Sequence, residues 1–347
     1  MKKLWIILFL CLTFLPNATA ETKWIPFTFL DNSGGLNDGS SSIVIEDDEA
    51  SDLQNVIFTK TGAIKKRKGY AKINTTPATG VVTGIQFYKQ SDGDRFLVGV
   101  LDNNVFVKMD YSVGGDPDGV FDQIGGTSAD VTTNDLADFA VAEDEIMVED
   151  GVGTTKPFKW TGSGDISEMS NAPNASMVAY HKLHAFVAGN TTSPSRLSVS
   201  NLGDIDTWTS TDTIDVETND GSVIRDIEPG LDALYIWKDK SIWRLSGKDR
   251  DNFVLERMVE GTGTLSRRSV AIYENQFFFV TDQGDIAVYD GGVTVQIISH
   301  KIQGSLDLAN FSRFRYSPGV TFDDDYYLAY STFDVSKHNR IFLFDNF

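Results

Sequence analysis

The sequence predicts an all-β repeat fold, an irregular β-propeller of about six blades. Three observations predict it. Apolar runs are short and broken by Gly, Asp, Asn and Ser, hairpin-like pairs of runs recur, and no stretch keeps a sustained amphipathic helical period. The composition agrees: 30 Gly and 12% aromatic residues suit short strands joined by tight turns. With 347 residues the chain needs either several domains or one repeat architecture to bury its apolar surface.

The repeat is read unit by unit. Val81 to Lys89, Arg95 to Leu101 and Asn104 to Met109 form the first, with Asp102-Asn103 as a tight turn. Leu136 to Ala142, Glu145 to Asp150 and Lys156 to Trp160 form the second. The third runs through Met177 to Tyr180, Leu183 to Ala188 and Arg196 to Ser200, and ends at Trp208. The fourth has Val223 to Pro229, Ala233 to Trp237, Ser241 to Leu245 and Phe253 to Met258. The fifth has Arg268 to Tyr273, Gln276 to Val280, Asp285 to Tyr289 and Thr294 to Ile298. The sixth begins near Arg313, with Tyr326 to Tyr330 and Arg340 to Phe344 as its hairpin. Units of roughly 35 to 50 residues match the period of propeller blades, and radial stacking covers the faces that a small isolated sheet leaves bare. A pair of β-sandwiches or a β-helix fits the spacing less well.

The sixth unit stops after its hairpin, so the ring is either incomplete at the C-terminus or closed from the N-terminal side. Ser42 to Ile45, Val56 to Thr59 and Ala63 to Lys66 are strand-like and could complete the last blade. The domain reading is therefore a leader over residues 1–20, an extended segment over 21–76 that could complete the ring, and blades over 77–347. Asp47 to Val56 reads as a two-turn helix or an irregular loop.

The first 20 residues resemble a secretory signal. Lys2 and Lys3 precede an apolar stretch, Leu4 to Leu15, that is short for a bilayer span, and Ala18-Thr19-Ala20 fits a cleavage site before Glu21. Cleavage would leave no stable membrane anchor. Cys11 is the one cysteine and lies within that stretch, so a cleaved chain has no disulfide, thiolate metal site or cysteine nucleophile.

The net charge of −19 repels phosphate backbones. That disfavours wrapping of nucleic acid, but it suits a channel through which DNA passes without sticking. Catalytic, cofactor-binding and metal-ligating residues are each predicted as none. His181 and His184 are three apart, and on a single strand they would face opposite ways. Asp92-Gly93-Asp94 and Asp116-Pro117-Asp118-Gly119 do not continue into a calcium-loop ligand pattern, and Asp323-Asp324-Asp325 reads as a solvated turn. A hydrolase would need carboxylates or a metal converging in a central funnel from separate blades. Lys65-Lys66-Arg67-Lys68 is the basic cluster, placed at a strand exit and able to dock on an acidic face of a neighbouring copy.

Beyond composition, three stretches carry a resemblance. Gly34-Gly35-Leu36-Asn37 leads to Asp47-Asp48-Glu49-Ala50-Ser51-Asp52-Leu53-Gln54-Asn55-Val56 and to Ile64-Lys65-Lys66-Arg67-Lys68-Gly69-Tyr70. Ser200-Asn201-Leu202-Gly203-Asp204 is followed by Trp208. Gly261-Thr262-Gly263-Thr264-Leu265-Ser266 is followed by Asp282-Gln283-Gly284-Asp285-Ile286, Tyr289 and Gly291-Gly292. In this order they resemble the tail nozzle, or tail tubular protein B, family of tailed-phage virion proteins. The resemblance implies a structural β-propeller subunit of the virion tail. It implies no enzyme, a homo-oligomeric ring, contacts with other tail or connector proteins, and passage of DNA without sequence-specific binding. The leader points to an alternative: an exported propeller, periplasmic or extracellular, that binds a carbohydrate or protein ligand.

Overall fold

The computed structural model describes residues 33–58, 63–75, 80–101, 105–111, 117–125, 135–333, 335 and 337–345. The signal-like segment, the Asp102-Asn103 turn and Asp116 lie outside the described residues. Six antiparallel meanders follow one another around a common axis, as the spacing predicts.

Two small N-terminal sheets come first. Gly35–Leu36 (β1) pairs in parallel with Glu49–Ala50 (β2), and Val56–Phe58 (β3) pairs with Ile64–Lys66 (β4). Blade 1 is Val82–Lys89 (β5), Arg95–Leu101 (β6), Val105–Tyr111 (β7) and Asp122–Gln123 (β8). Blade 2 is Asp138–Ala142 (β9), Glu145–Glu149 (β10), Phe158–Trp160 (β11) and Ser167–Glu168 (β12). Blade 3 is Met177–His181 (β13), His184–Ala188 (β14), Arg196–Asn201 (β15) and Asp204–Asp215 (β16). Blade 4 is Ile224–Gly230 (β17), Ala233–Lys238 (β18), Ser241–Ser246 (β19) and Val254–Glu260 (β20). Blade 5 is Ala271–Tyr273 (β21), Gln276–Val280 (β22), Ile286–Tyr289 (β23) and Gln296–Ile297 (β24). Blade 6 has three strands among the described residues: Gly319–Phe322 (β25), Asp325–Tyr330 (β26) and Arg340–Asp345 (β27).

The first hairpin of blades 2 to 6 turns on two residues. Lys182-Leu183, Leu231-Asp232 and Asp323-Asp324 all hold positive φ at both positions, the mirror-image turn whose twist matches the strands it joins. The Asp323-Asp324 turn is the one read from the sequence.

Five apolar clusters fill five seams, one between each pair of consecutive blades. Tyr88, Phe96 and Val98 meet Phe158 and Trp160 between blades 1 and 2, where Phe96 and Trp160 stack edge-on at 5.0 Å. Gly84 permits this approach, because a Cβ there would lie 2.7 Å from the Phe139 ring. Met147 and Val178 belong to the cluster between blades 2 and 3, and Leu197 and Ile236 to that between 3 and 4. Tyr235 and Trp237 meet Phe277 and Tyr289 between 4 and 5, and Phe278 stacks on Tyr326 at 5.3 Å between 5 and 6.

Several expectations need correction. Ser42 to Ile45 forms a turn, with Ile43 and Val44 exposed, not a strand. Val56 to Thr59 and Ala63 to Lys66 do not complete the last blade, because β3 and β4 satisfy each other as a separate hairpin. The N-terminal segment instead docks on the connector between blades 5 and 6: the Asp38 and Gly39 amides donate to Lys301 O, and Lys301 pairs with Glu49 at 2.7 Å. Asp47 to Val56 takes the irregular alternative, apart from β2. Arg313 does not open the sixth unit. It lies in a 3-10 turn, Phe311–Tyr316, and a short helix, Gln303–Asp307, precedes it. That helix was missed because one and a half turns leave no period to detect.

Candidate functional site

The axis of the propeller is where separate blades converge, and the connector that begins with the singled-out Gly261 to Ser266 supplies its centre. Residues 261–269 cross from β20 to blade 5. Gly263 passes so close to the end of β18 that a Cβ would sit 2.1 Å from Lys238 O. Hydroxyl side chains then fix the path. Thr264 Oγ1 donates to Val280 O at 2.7 Å, Ser266 Oγ to Ser317 O at 2.8 Å, and Ser269 Oγ to Ser266 O at 3.0 Å. Tyr326 Oη donates to Ser269 O at 2.7 Å. These bonds tie blades 5 and 6 to the connector and leave Arg267 and Arg268 directed inward.

Arg268 Nη1 donates to Asp138 Oδ1 at 2.6 Å, across 130 positions of sequence. Arg267 Nη2 donates to Asp135 Oδ1 at 2.8 Å and its Nη1 to Ser176 O at 3.3 Å. Asp138 also accepts the amides of Phe139 at 2.7 Å and Val178 at 2.9 Å. One carboxylate thus joins blades 2, 3 and 5. Asp226 and Glu228, on β17 of blade 4, complete the cluster. Glu149 lies opposite Asp138 in the β9–β10 register.

Acid exceeds base here, and burial raises the cost of charge. Burial pushes the Glu228 carboxyl up to about 8, reinforced by Asp138 and opposed by Arg268. Asp226 is likewise held well above the usual range, by burial first, against the pull of Arg268. Glu149 is raised by burial and then by Asp150 and Asp138. It is fully buried, and neither of its oxygens has a partner among the described residues. The upward shifts favour the protonated form of each carboxyl, which lets so many of them share the axis with two guanidinium groups. The sequence did not mark them as a set. Asp138-Phe139 and Asp226-Ile227 repeat an Asp-apolar pair on the inner strands of blades 2 and 4, and that pairing is the signal that could have found them.

The other sequence candidates fall elsewhere. His181 and His184 are not on one strand. They end β13 and begin β14 and pair directly across the hairpin, so they share a face, which corrects the opposite-face argument. His184 Nδ1 lies 2.8 Å from Ser200 O, and its ring packs edge-on against Phe253 at 5.6 Å. Asp92 caps its own turn through the Asp94 amide at 3.0 Å. Asp118 is brought together with Asp110 and Asp122, their ligand atoms within 4.8 Å of one another, and Lys108 Nζ contacts Asp110 at 2.5 Å. The basic cluster is exposed along β4, with Arg67 over the Tyr70 ring.

The ends of the blade array form a second feature. Five seams carry clusters, but among the described residues none joins blade 6 to blade 1. On blade 1, Ile85 and Phe87 share the face opposite the buried Tyr88 and are 48% and 46% exposed, whereas Val107 and Met109 on the same face are buried. On blade 6, Val320 and Phe322 face away from blade 5 and are 58% and 70% exposed, with Ile341 beside them at 61%.

No protein-family profile and no curated protein sequence matches this chain. Solved structures similar to it include BamB from Moraxella catarrhalis, at 11% identity over 82% of this chain and 81% of that one, with a TM-score of 0.44. The extracellular domain of the putative one component system BT4673 from B. thetaiotaomicron is 11% identical over 79% of this chain and 39% of that one, with a TM-score of 0.46. PorZ of Porphyromonas gingivalis, a bacterial surface component of the type-IX secretion system, is 10% identical over 76% of this chain and 33% of that one, with a TM-score of 0.41. The fold itself is a six-bladed β-propeller with one seam left unsealed by the described residues.

Proposed function

We propose that this chain is a structural propeller subunit that works by association, in the manner of a tail nozzle or head-to-tail connector component, and not by catalysis. The observation that carries the proposal is the unsealed seam. The exposed apolar residues of blade 1, Ile85 and Phe87, and those of blade 6, Val320, Phe322 and Ile341, lie on different surfaces. Packing one against the other in a neighbouring copy is a heterologous contact, which closes into a ring when the rotation permits. The axial carboxyls act as a clasp between blades, since Asp138 is committed to Arg268 and two backbone amides. The acidic charge suits a lumen that DNA traverses without adhering.

The test is particle mass with and without the seam. Native mass measurement of the chain with its connector partner is expected to show a homo-oligomer. The double variant Phe87→Asp and Phe322→Asp is expected to leave a folded monomer, since neither side chain is buried. Oligomers that survive this double substitution count against the seam as the interface, and a monomer from the unsubstituted chain, partner present, counts against the function.

The alternative, an exported propeller with a carbohydrate or protein ligand, is favoured by the signal-like first 20 residues. N-terminal sequencing of the protein from its native cell separates the two. A first residue of Glu21 supports export, and a first residue of Met1 supports assembly in the cytoplasm.

A further inference from the structure

The outer strand of blade 3 departs from regular pairing. Ser198 of β15 faces Thr213 of β16, and Ser200 faces Trp208, so two steps on β15 are matched by five on β16. The surplus residues arch away from the sheet, as bulges do where a strand re-aims its side chains. Arg250 of blade 4 anchors the arch, donating to Thr211 O at 2.7 Å and pairing with Asp212. Beneath the arch lies a cleft of about 370 Å³, bounded on its other side by the connector from blade 2.

The lining is amphipathic and its charges are paired. Trp208 is half-buried. Part of it packs on the core between blades 2 and 3, and its indole N–H is already given to Ile205 O at 2.7 Å, so what it offers the cleft is ring surface. Asn174 Nδ2 donates to Thr154 O at 2.7 Å and Asn171 Nδ2 to Asp206 O at 3.4 Å, which fixes both amides while neither Oδ1 takes a bond from another described residue. Arg196 is locked in a two-point ion pair with Asp215, at 2.7 and 3.1 Å, which cancels its charge and holds its plane. The hydroxyl-bearing side chains of Ser198 and Thr213 complete the floor.

We infer that this cleft binds a neutral saccharide. A pyranose has an apolar C–H face and a rim of hydroxyls. The first suits an aromatic ring, and the second suits fixed amide and guanidinium groups and hydroxyls. Phosphate and acidic ligands find no unpaired cation here, and basic ligands find no unpaired carboxylate. The cleft is on blade 3, away from the seam, so the inference stands or falls independently of the assembly proposal.

The test is calorimetric titration of the full chain with maltotetraose, cellotetraose, chitotetraose and mannotetraose. Inorganic phosphate and an uncharged tetra-alanine peptide serve as the other arms. At least one oligosaccharide is expected to bind with a Kd of about 1 mM or tighter. Trp208→Ala is expected to weaken it at least tenfold, on the order of 1.4 kcal/mol. Asn174→Ala, which leaves the core contacts of Trp208 in place, is expected to weaken it several-fold with an unchanged melting midpoint, so the inference survives if Trp208→Ala fails to fold. No oligosaccharide binding, equal binding by the Asn174 variant, or binding of phosphate or peptide in place of saccharide overturns the inference.

Discussion

Replacing Arg268 with Met is expected to lower the stability of the propeller by about 3–5 kcal/mol, the usual cost of removing one partner from a buried ion pair. The guanidinium donates to Asp138 at 2.6 Å and is the cation that faces Asp226 and Glu228 across the axis. Without it Asp138 remains a buried carboxylate bonded only by the Phe139 and Val178 amides. For a chain of 347 residues unfolding as one unit, that loss corresponds to a fall in melting midpoint of roughly 4–7 °C. The double variant with Asp138→Asn is expected to lose less than the sum of the two single variants, because each single change leaves the other charge unpaired. Additive losses, or a midpoint within 1 °C of the unsubstituted chain, would show that the clasp is not a coupled unit.

Stability is expected to decline steadily as pH rises from about 5 to 9. The axial carboxyls have folded values above their unfolded ones: Glu228 stands at about 8 against 4.5, and Glu149 and Asp226 are raised in the same direction. Between the two values the folded protein holds protons that the unfolded chain has released, so a rise in pH favours unfolding. Below about 4 the sign reverses. Glu49, drawn down to about 2 by Lys301 and Asn37, and Asp215, lowered by Arg196, are ionised in the folded state and lose their partners on protonation. The maximum therefore falls near pH 5. Glu228→Gln is expected to flatten the upper limb without moving the lower one. Melting midpoints at half-unit intervals test this, and a profile that is level or rising between pH 5 and 9 would falsify it.

The strands were legible because their signals are local. In Ala233 to Trp237 and Gln276 to Val280, continuous apolar runs stand between turn residues, and the observed strands agree to within a residue or two. Resolution failed where the signal is short or conditional. Gln303–Asp307 is too brief to show a period, and Val56 to Thr59 is strand-like whichever partner it takes. His181 and His184 share a face for a related reason: two residues with positive φ, Lys182 and Leu183, place a hairpin between them and turn an opposite-face pair into a same-face one.

The sequence by itself determined the fold class, a repeat of about six units and most of their strands, because each depends on residues close together in the chain. It also flagged Gly261 to Ser266 as distinctive, but not the Arg267 and Arg268 that follow. Only the tertiary structure decided what that stretch does. Arg268 meets Asp138 across 130 residues, and the raised values of Glu149, Asp226 and Glu228 come from burial and neighbouring charge brought together by separate blades. The unsealed seam belongs to the same class. Phe87 looks like an ordinary strand residue in the sequence and Phe322 lies outside the strands read there, and the exposure of both is set by what packs on them in the fold.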